Sequence, residues 1–272
     1  MKYLGRAVVA VAFCSLVSLP GKAQQKSPQH PQEPTIEDIR QISSPIQRLI
    51  AVDRLVEDKD YEEAVRAYKD MLASDPDNAQ ILNRLGNAYQ ALQKLDDAQK
   101  AYQRALKVDP HFAAAVNNIG CIYYNEQRYG KAIGRYRKAI KMDSSVASFH
   151  SNLGYAYLAE KKYDLMLAAF HDAVSLDATI FDQHNRTGAI VLERSVEDRG
   201  AFFFFLAKAF AQVGDVNRCL EYLTKARDEH YKDILSVKTD PAFAPVRPKP
   251  AVRDFIDGLT PPAGPNPSSA AM

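Results

Sequence analysis

The sequence predicts an all-α fold, a solenoid of antiparallel helix hairpins closed by a short C-terminal capping helix. Three observations point there. Gly86, Gly120 and Gly154 recur 34 residues apart. Each is followed at fixed offsets by aromatic and small residues: Tyr89, Tyr123 and Tyr157 three later, Tyr102, Tyr136 and Phe170 sixteen later, and Ala105, Ala139 and Ala173 nineteen later. Within a unit the apolar positions keep helical spacing, with Leu82, Leu85 and Tyr89 on one stripe and Ala98, Tyr102 and Ala105 on another. A single hairpin cannot bury such a face, so units must stack.

The elements follow in order. Lys2 and Arg6 precede the apolar run AVVAVAFCSLVSL, which ends in PGKA. That order reads as a secretory signal peptide, residues 1–23, cleaved after Ala23. The apolar run is too short to span a bilayer, which takes about 20 residues. Residues 24–34 are a polar, Pro-containing linker and 35–44 a lead-in helix. PIQRLIAVDRLVEDK and DYEEAVRAYKDMLASDPDN form a first hairpin over 45–78, less regular than those at 79–112, 113–146 and 147–180. Met166 departs from the alanines at 98 and 132, and Pro110 closes one unit where Ser144 and Ala178 close the next two.

Register then fails. FDQHNRTGAIVLE fits a first helix through Gly188, but SVEDRGAFFFF follows, so 181–199 reads as an irregular helix or insertion. It recovers over 200–233, a degenerate unit with Ala207, Phe210, Cys219, Leu223 and Ala226 in the repeat slots. In that register Phe203, Leu206 and Phe210 point inward, whereas Phe204 and Phe205 fall on the groove side. These two are open to three roles: core closed by the insertion, a groove floor or self-association contact, or a membrane-surface contact. FFFFLAKAFA contains Lys208 and cannot cross a bilayer. Pro241, Pro245, Pro248 and Pro250 lead into a short helix, making 234–259 a C-terminal cap, and 260–272 is too poor in apolar side chains to order itself.

The Gly86, Tyr89, Ala98, Tyr102, Ala105 and Pro110 pattern resembles the tetratricopeptide repeat family. The resemblance implies a right-handed superhelix, no enzymatic activity and no cofactor. DP-x-F followed by an Arg and a short helix is similar to the segment after many bacterial arrays of this kind, which implies a bacterial periplasmic or envelope scaffold. In the family, first helices line a concave groove that holds a peptide or partner helix. Carried onto this chain, the groove stripe is Asn83, Arg84, Asn87 and Gln90, then Asn117, Asn118, Cys121 and Tyr124, then Ser151, Asn152, Tyr155 and Leu158. Asparagine amides there either pair with a ligand's main chain or only cap and solvate the helix. A carboxylate-clamping subclass would use amides such as Asn87, Asn118 and Asn152, but Asn83 and Ser148 stand where its lysines would. The alternative role is a structural envelope subunit docking through its convex face, its ends or Phe204/Phe205.

Chemistry is thin elsewhere. Basic residues number 35 against 33 acidic, and loss of residues 1–23 removes three of the former, leaving a mature charge of about −1. No basic run marks a nucleic-acid partner. The chain contains no HExxH, CxxC, phosphate-binding or nucleophile-elbow motif. His150 and His184, 34 apart, are the best metal pair but lack a third ligand. Cys121 and Cys219 could pair in an oxidising compartment, and Cys121 alone could be a reactive thiol, which would require a depressed pKa.

Overall fold

The computed structural model describes residues 36–182 and 199–259. The signal peptide, the linker, residues 183–198 of the insertion, with His184 and Gly188, and the tail lie outside the described residues. Twelve α-helices and two 3₁₀ turns make up the described chain. A short α1 (Ile36–Gln41) leads into four hairpins: α2–α3 (Pro45–Glu57, Tyr61–Ser74), α4–α5 (Ala79–Ala91, Leu95–Val108), α6–α7 (Ala113–Asn125, Tyr129–Met142) and α8–α9 (Ala147–Ala159, Tyr163–Leu176). A fifth, α10–α11 (Arg199–Gln212, Val216–Asp228), is followed by 3₁₀ turns at Ile234–Lys238 and Pro241–Phe243 and by α12 (Pro250–Asp257). Each second helix packs on the first helix of the next unit, the stacking that makes a solenoid.

The glycines are contact points. A methyl group on Gly86 would lie 2.3 Å from the Tyr102 ring, on Gly120 2.6 Å from Tyr136, and on Gly154 2.3 Å from Phe170. The ring sixteen residues on therefore packs directly against bare backbone, and Tyr102, Tyr136 and Phe170 are completely buried. The fifth unit holds Ala207 and Leu223 at these slots, a larger small residue with a smaller partner.

The turn inside each hairpin repeats as faithfully. Lys59, Gln93, Gln127 and Lys161, again 34 apart, have φ between 56° and 65°, and Gly214 occupies the same place at 79°. The next amide reaches back five residues, as in Lys94 N–H to the Tyr89 carbonyl at 2.9 Å and Arg128 N–H to the Tyr123 carbonyl at 2.8 Å. This closes the first helix in a Schellman motif. Four of the five turns place a side chain in a left-handed conformation that favours glycine. Gln93→Gly and Gln127→Gly are each expected to stabilise the fold by about 0.5–1 kcal/mol, read as a raised thermal midpoint by circular dichroism.

Between hairpins, Asp109, Asp143 and Asp177 accept the amide two residues on. The Asp143 carboxyl is held below the usual carboxylate range, first by the Ser145 hydroxyl.

Of the three roles left open for Phe204, the structure gives it the core one. Its ring is 2% exposed, stacked on Tyr231 (4.8 Å) and tilted against Phe243 of the cap (5.4 Å). Phe205 is half-buried, stacked on Tyr163 at 5.1 Å with Lys208 at 4.9 Å. The two rings do not form one outward patch, because the cap folds back over α10, tied by the Lys208–Asp240 ion pair at 2.6 Å. Phe202 and Phe203 are core as well. Among the described residues no helix is long and apolar enough to cross a membrane.

Candidate functional site

The first helices α4, α6 and α8 carry the expected polar stripe, and the structure joins it into a ladder. Asn118 Nδ2 donates to both Asn87 Oδ1 and Asn83 Oδ1 at 3.0 Å. Asn117 Nδ2 donates to Asn118 Oδ1 at 3.1 Å, and Asn152 Nδ2 donates to Asn117 Oδ1 at 3.1 Å. Donors thus run one way across three repeats, from α8 to α4.

Beneath the ladder lies a relation that the sequence reading missed. The residue at 53, 87 or 121 meets a tyrosine hydroxyl 15 positions on and a side chain 31 positions on. Tyr68 Oη donates to Asp53 at 3.2 Å and Arg84 pairs with the same carboxylate. Tyr102 Oη donates to Asn87 Oδ1 at 2.8 Å and to Gln90 Oε1 at 3.1 Å. At the third position Asn152 Nδ2 lies 3.6 Å from Cys121 Sγ. There the buried Tyr136 hydroxyl faces the Cys121 thiol, and the buried Asn152 Oδ1 has no hydrogen-bond partner among the described residues. Burial raises the Tyr68, Tyr102 and Tyr136 hydroxyls above the ordinary tyrosine value, so they remain donors. The signal was present as a 15-residue offset, but the reading followed core aromatics as apolar surface alone.

Exposure falls along the stripe. Asn87 is exposed, Arg84, Gln90 and Asn118 are half-buried, and Asn83, Asn117 and Tyr124 are buried. All of the α8 stripe, Ser151, Asn152, Tyr155 and Leu158, is buried. Tyr155 belongs to an aromatic cluster with Phe170 (5.5 Å), Phe202 (5.6 Å) and Phe181 (6.2 Å). This corrects its expected place at a ligand surface: α10 packs on α9, and its Phe202 ring, with Phe170 and Phe181, covers Tyr155. Tyr124 turns edge-on to Tyr129 at 5.2 Å. The accessible part of the stripe is the ledge of Arg84, Asn87, Gln90 and Asn118.

The reactive-thiol expectation for Cys121 is also corrected. Burial pushes its pKa up to about 11, the nearby Tyr136 hydroxyl offsetting only part of that, and Cys219 is pushed up to about 12, first by burial. Both thiols are free and buried. His150 is a satisfied packing residue, its Nε2 3.0 Å from the Ser144 carbonyl and its Nδ1 3.5 Å from Asp172. Among the described residues no group of three His, Cys, Asp or Glu side chains is placed to hold a metal.

Stacked hairpins with a polar inner stripe define a repeat scaffold of the protein-interaction class. Residues 55–119 match a tetratricopeptide repeat model, as do 120–160 and 147–180, so tetratricopeptide repeats are present over residues 55–180. Among solved structures the chain is similar to MamA, at 22% identity over 67% of this chain and 95% of that one, with a TM-score of 0.45. MamA from Desulfovibrio magneticus RS-1 is similar at 19% identity over 68% and 93% of the two chains, TM-score 0.45. YrrB, described as a TPR protein with an unusual peptide-binding site, is similar at 18% identity over 69% and 87%, TM-score 0.42. No curated protein sequence matches the chain. The repeat models, not these overlays, carry the assignment.

Proposed function

We propose that the protein is an exported, non-catalytic scaffold that holds an extended peptide segment of a partner against the ledge on α4 and α6. The supporting observation is how the ledge amides are pinned. Asn87 Oδ1 accepts from the Tyr102 hydroxyl and from Asn118 Nδ2, and Gln90 Oε1 shares the same hydroxyl proton at the longer distance of 3.1 Å. With the oxygens spent inward, the Asn87 and Gln90 NH₂ groups are turned outward, one helical turn apart. Donors oriented before binding suit main-chain carbonyls of any sequence, because little ordering cost remains to be met on association. The basic n-region, apolar run and small residues of 1–23 support export to a periplasm or envelope.

The test is capture from envelope extract by the mature protein, beside an Asn87→Ala, Gln90→Ala, Asn118→Ala variant of unchanged helicity. Retained partners are expected to fall about tenfold or more in the variant. Equal retention by the folded variant would remove function from the ledge.

A further inference from the structure

Net charge conceals a one-sided distribution. Between residues 79 and 146 there are eleven basic and five acidic residues. Most of the excess lies on two neighbouring second helices, opposite the concave stripe. Helix α7 carries Lys131, Arg135, Arg137, Lys138 and Lys141 and no acidic residue. None of the five has an ion-pair partner among the described residues. All but Arg135 are exposed. Because the repeat is 34 residues long, Arg104 and Lys107 of α5 occupy the slots of Lys138 and Lys141 one hairpin earlier, so the charges align across the stack. Like charges at i, i+3 and i, i+4 repel, so α7 carries an unfavourable concentration that no described carboxylate relieves. The sequence reading expected no basic stripe; α7 and its stacked neighbour α5 form one.

The face is also grooved. Between α3 and α5 a cleft of about 470 Å³ is lined by Leu72, Leu85 and Tyr89, by Lys69, Lys100 and Arg104, and by one acid, Asp97, which pairs with Lys100 at 3.6 Å. Lys69 lies 5.5 Å from the Tyr89 ring centre. One repeat on, the equivalent Tyr123 is surrounded by Arg128 (4.9 Å), Lys131 (5.8 Å) and Arg135 (5.9 Å). Beside it Gly134 has open space where a side chain would stand.

We propose that the outer face running from the α3–α5 cleft across to α7 is a second docking surface, taken by an acidic protein segment in which carboxylates alternate with apolar side chains. Charge complementarity selects the acid, and the apolar part of the cleft lining selects side chains between the acids. A lipid surface would meet the exposed cations but leave the cleft unfilled. Nucleic-acid bases would find the tyrosine faces already covered by cations, where single strands need bare rings to stack upon.

The experiment uses the mature protein and a fluorescein-labelled peptide of repeated Glu-Glu-Leu, read by anisotropy. Parallel arms use repeated Glu-Glu-Ser, an oligothymidylate and phosphatidylglycerol vesicles. Lys131→Glu, Lys138→Glu, Lys141→Glu is the test variant, with Lys→Gln at the same sites as a milder second. All three positions are exposed, and circular dichroism verifies the fold. Binding of Glu-Glu-Leu is expected to weaken about tenfold or more in the reversed variant, and to weaken as salt rises from about 0.1 to 1 M. The ledge variant at 87, 90 and 118 should bind the peptide normally, which separates this surface from the concave one. Unchanged affinity in both folded variants would overturn the proposal, as would equal binding of Glu-Glu-Ser, or binding of vesicles or oligonucleotide in preference to the peptide.

Discussion

Phe204→Ala is expected to cost about 3–5 kcal/mol, the range for truncating a buried aromatic ring. The ring joins two parts of the molecule: it stands on α10, while Tyr231 and Phe243 press on it from the segment after α11. Its removal leaves a cavity where the cap meets the last hairpin. Val237, Val246 and Val252, all fully buried, share that junction, so the cap should loosen before the array. In a stacked-repeat protein neighbouring units unfold as linked but separable steps. Denaturant unfolding should therefore show an earlier phase, and limited proteolysis should release the segment beyond residue 233 sooner. Phe205→Ala is the control: it forfeits a stacked contact with Tyr163 and a cation–π contact with Lys208, worth about 1–2 kcal/mol together. Equal stability of Phe204→Ala and wild type would return Phe204 to the surface role its register suggested.

Gly154→Ala should be the most damaging single-methyl change. The new carbon would lie 2.3 and 2.4 Å from two Phe170 ring atoms, so either the ring leaves its slot or α8 and α9 separate. Overpacking of this sort costs about 1–3 kcal/mol, and the upper end fits here because the ring is fully buried with Tyr155, Phe181 and Phe202 around it. The fifth hairpin indicates the remedy, with Ala207 where the glycine would be and Leu223 where the ring would be. Gly154→Ala with Phe170→Leu should thus recover part of the loss, and a double-mutant cycle on denaturation midpoints measures how much. Gly134→Ala, on a helix and with nothing within 4 Å of the added carbon, should instead stabilise by about 1 kcal/mol. Similar responses at 134 and 154 would refute the close-packing account of the repeat glycine.

Much of the fold was legible because its signals are local or strictly periodic. Glycine and ring sixteen residues apart specify a close helix crossing, and a 34-residue recurrence specifies stacking, whatever the surroundings. The left-handed turns were hidden, since Lys59, Gln93, Gln127 and Lys161 lack the glycine that marks such turns and only Gly214 displays it. The inner stripe was half legible. Helical spacing put Asn83, Asn87, Asn118 and Asn152 on one face, but spacing says nothing about whether an amide faces solvent, a ligand or another amide. Asn118 bonds Asn83 and Asn87 because adjacent hairpins bring positions 31 and 35 apart into reach.

The amino-acid sequence alone determined the helical hairpins, their number in the regular array and the residues at each crossing, because one period encodes both the helix face and its contact. Only the tertiary structure decided which members of each face remain accessible. Tyr155 and Phe204 are buried by α10 and the cap, elements that break the period, and burial depends on neighbours distant in the chain. The cationic outer face is divided between the two: α7 carries five cations in its own sequence, and stacking sets Arg104 and Lys107 of α5 beside them.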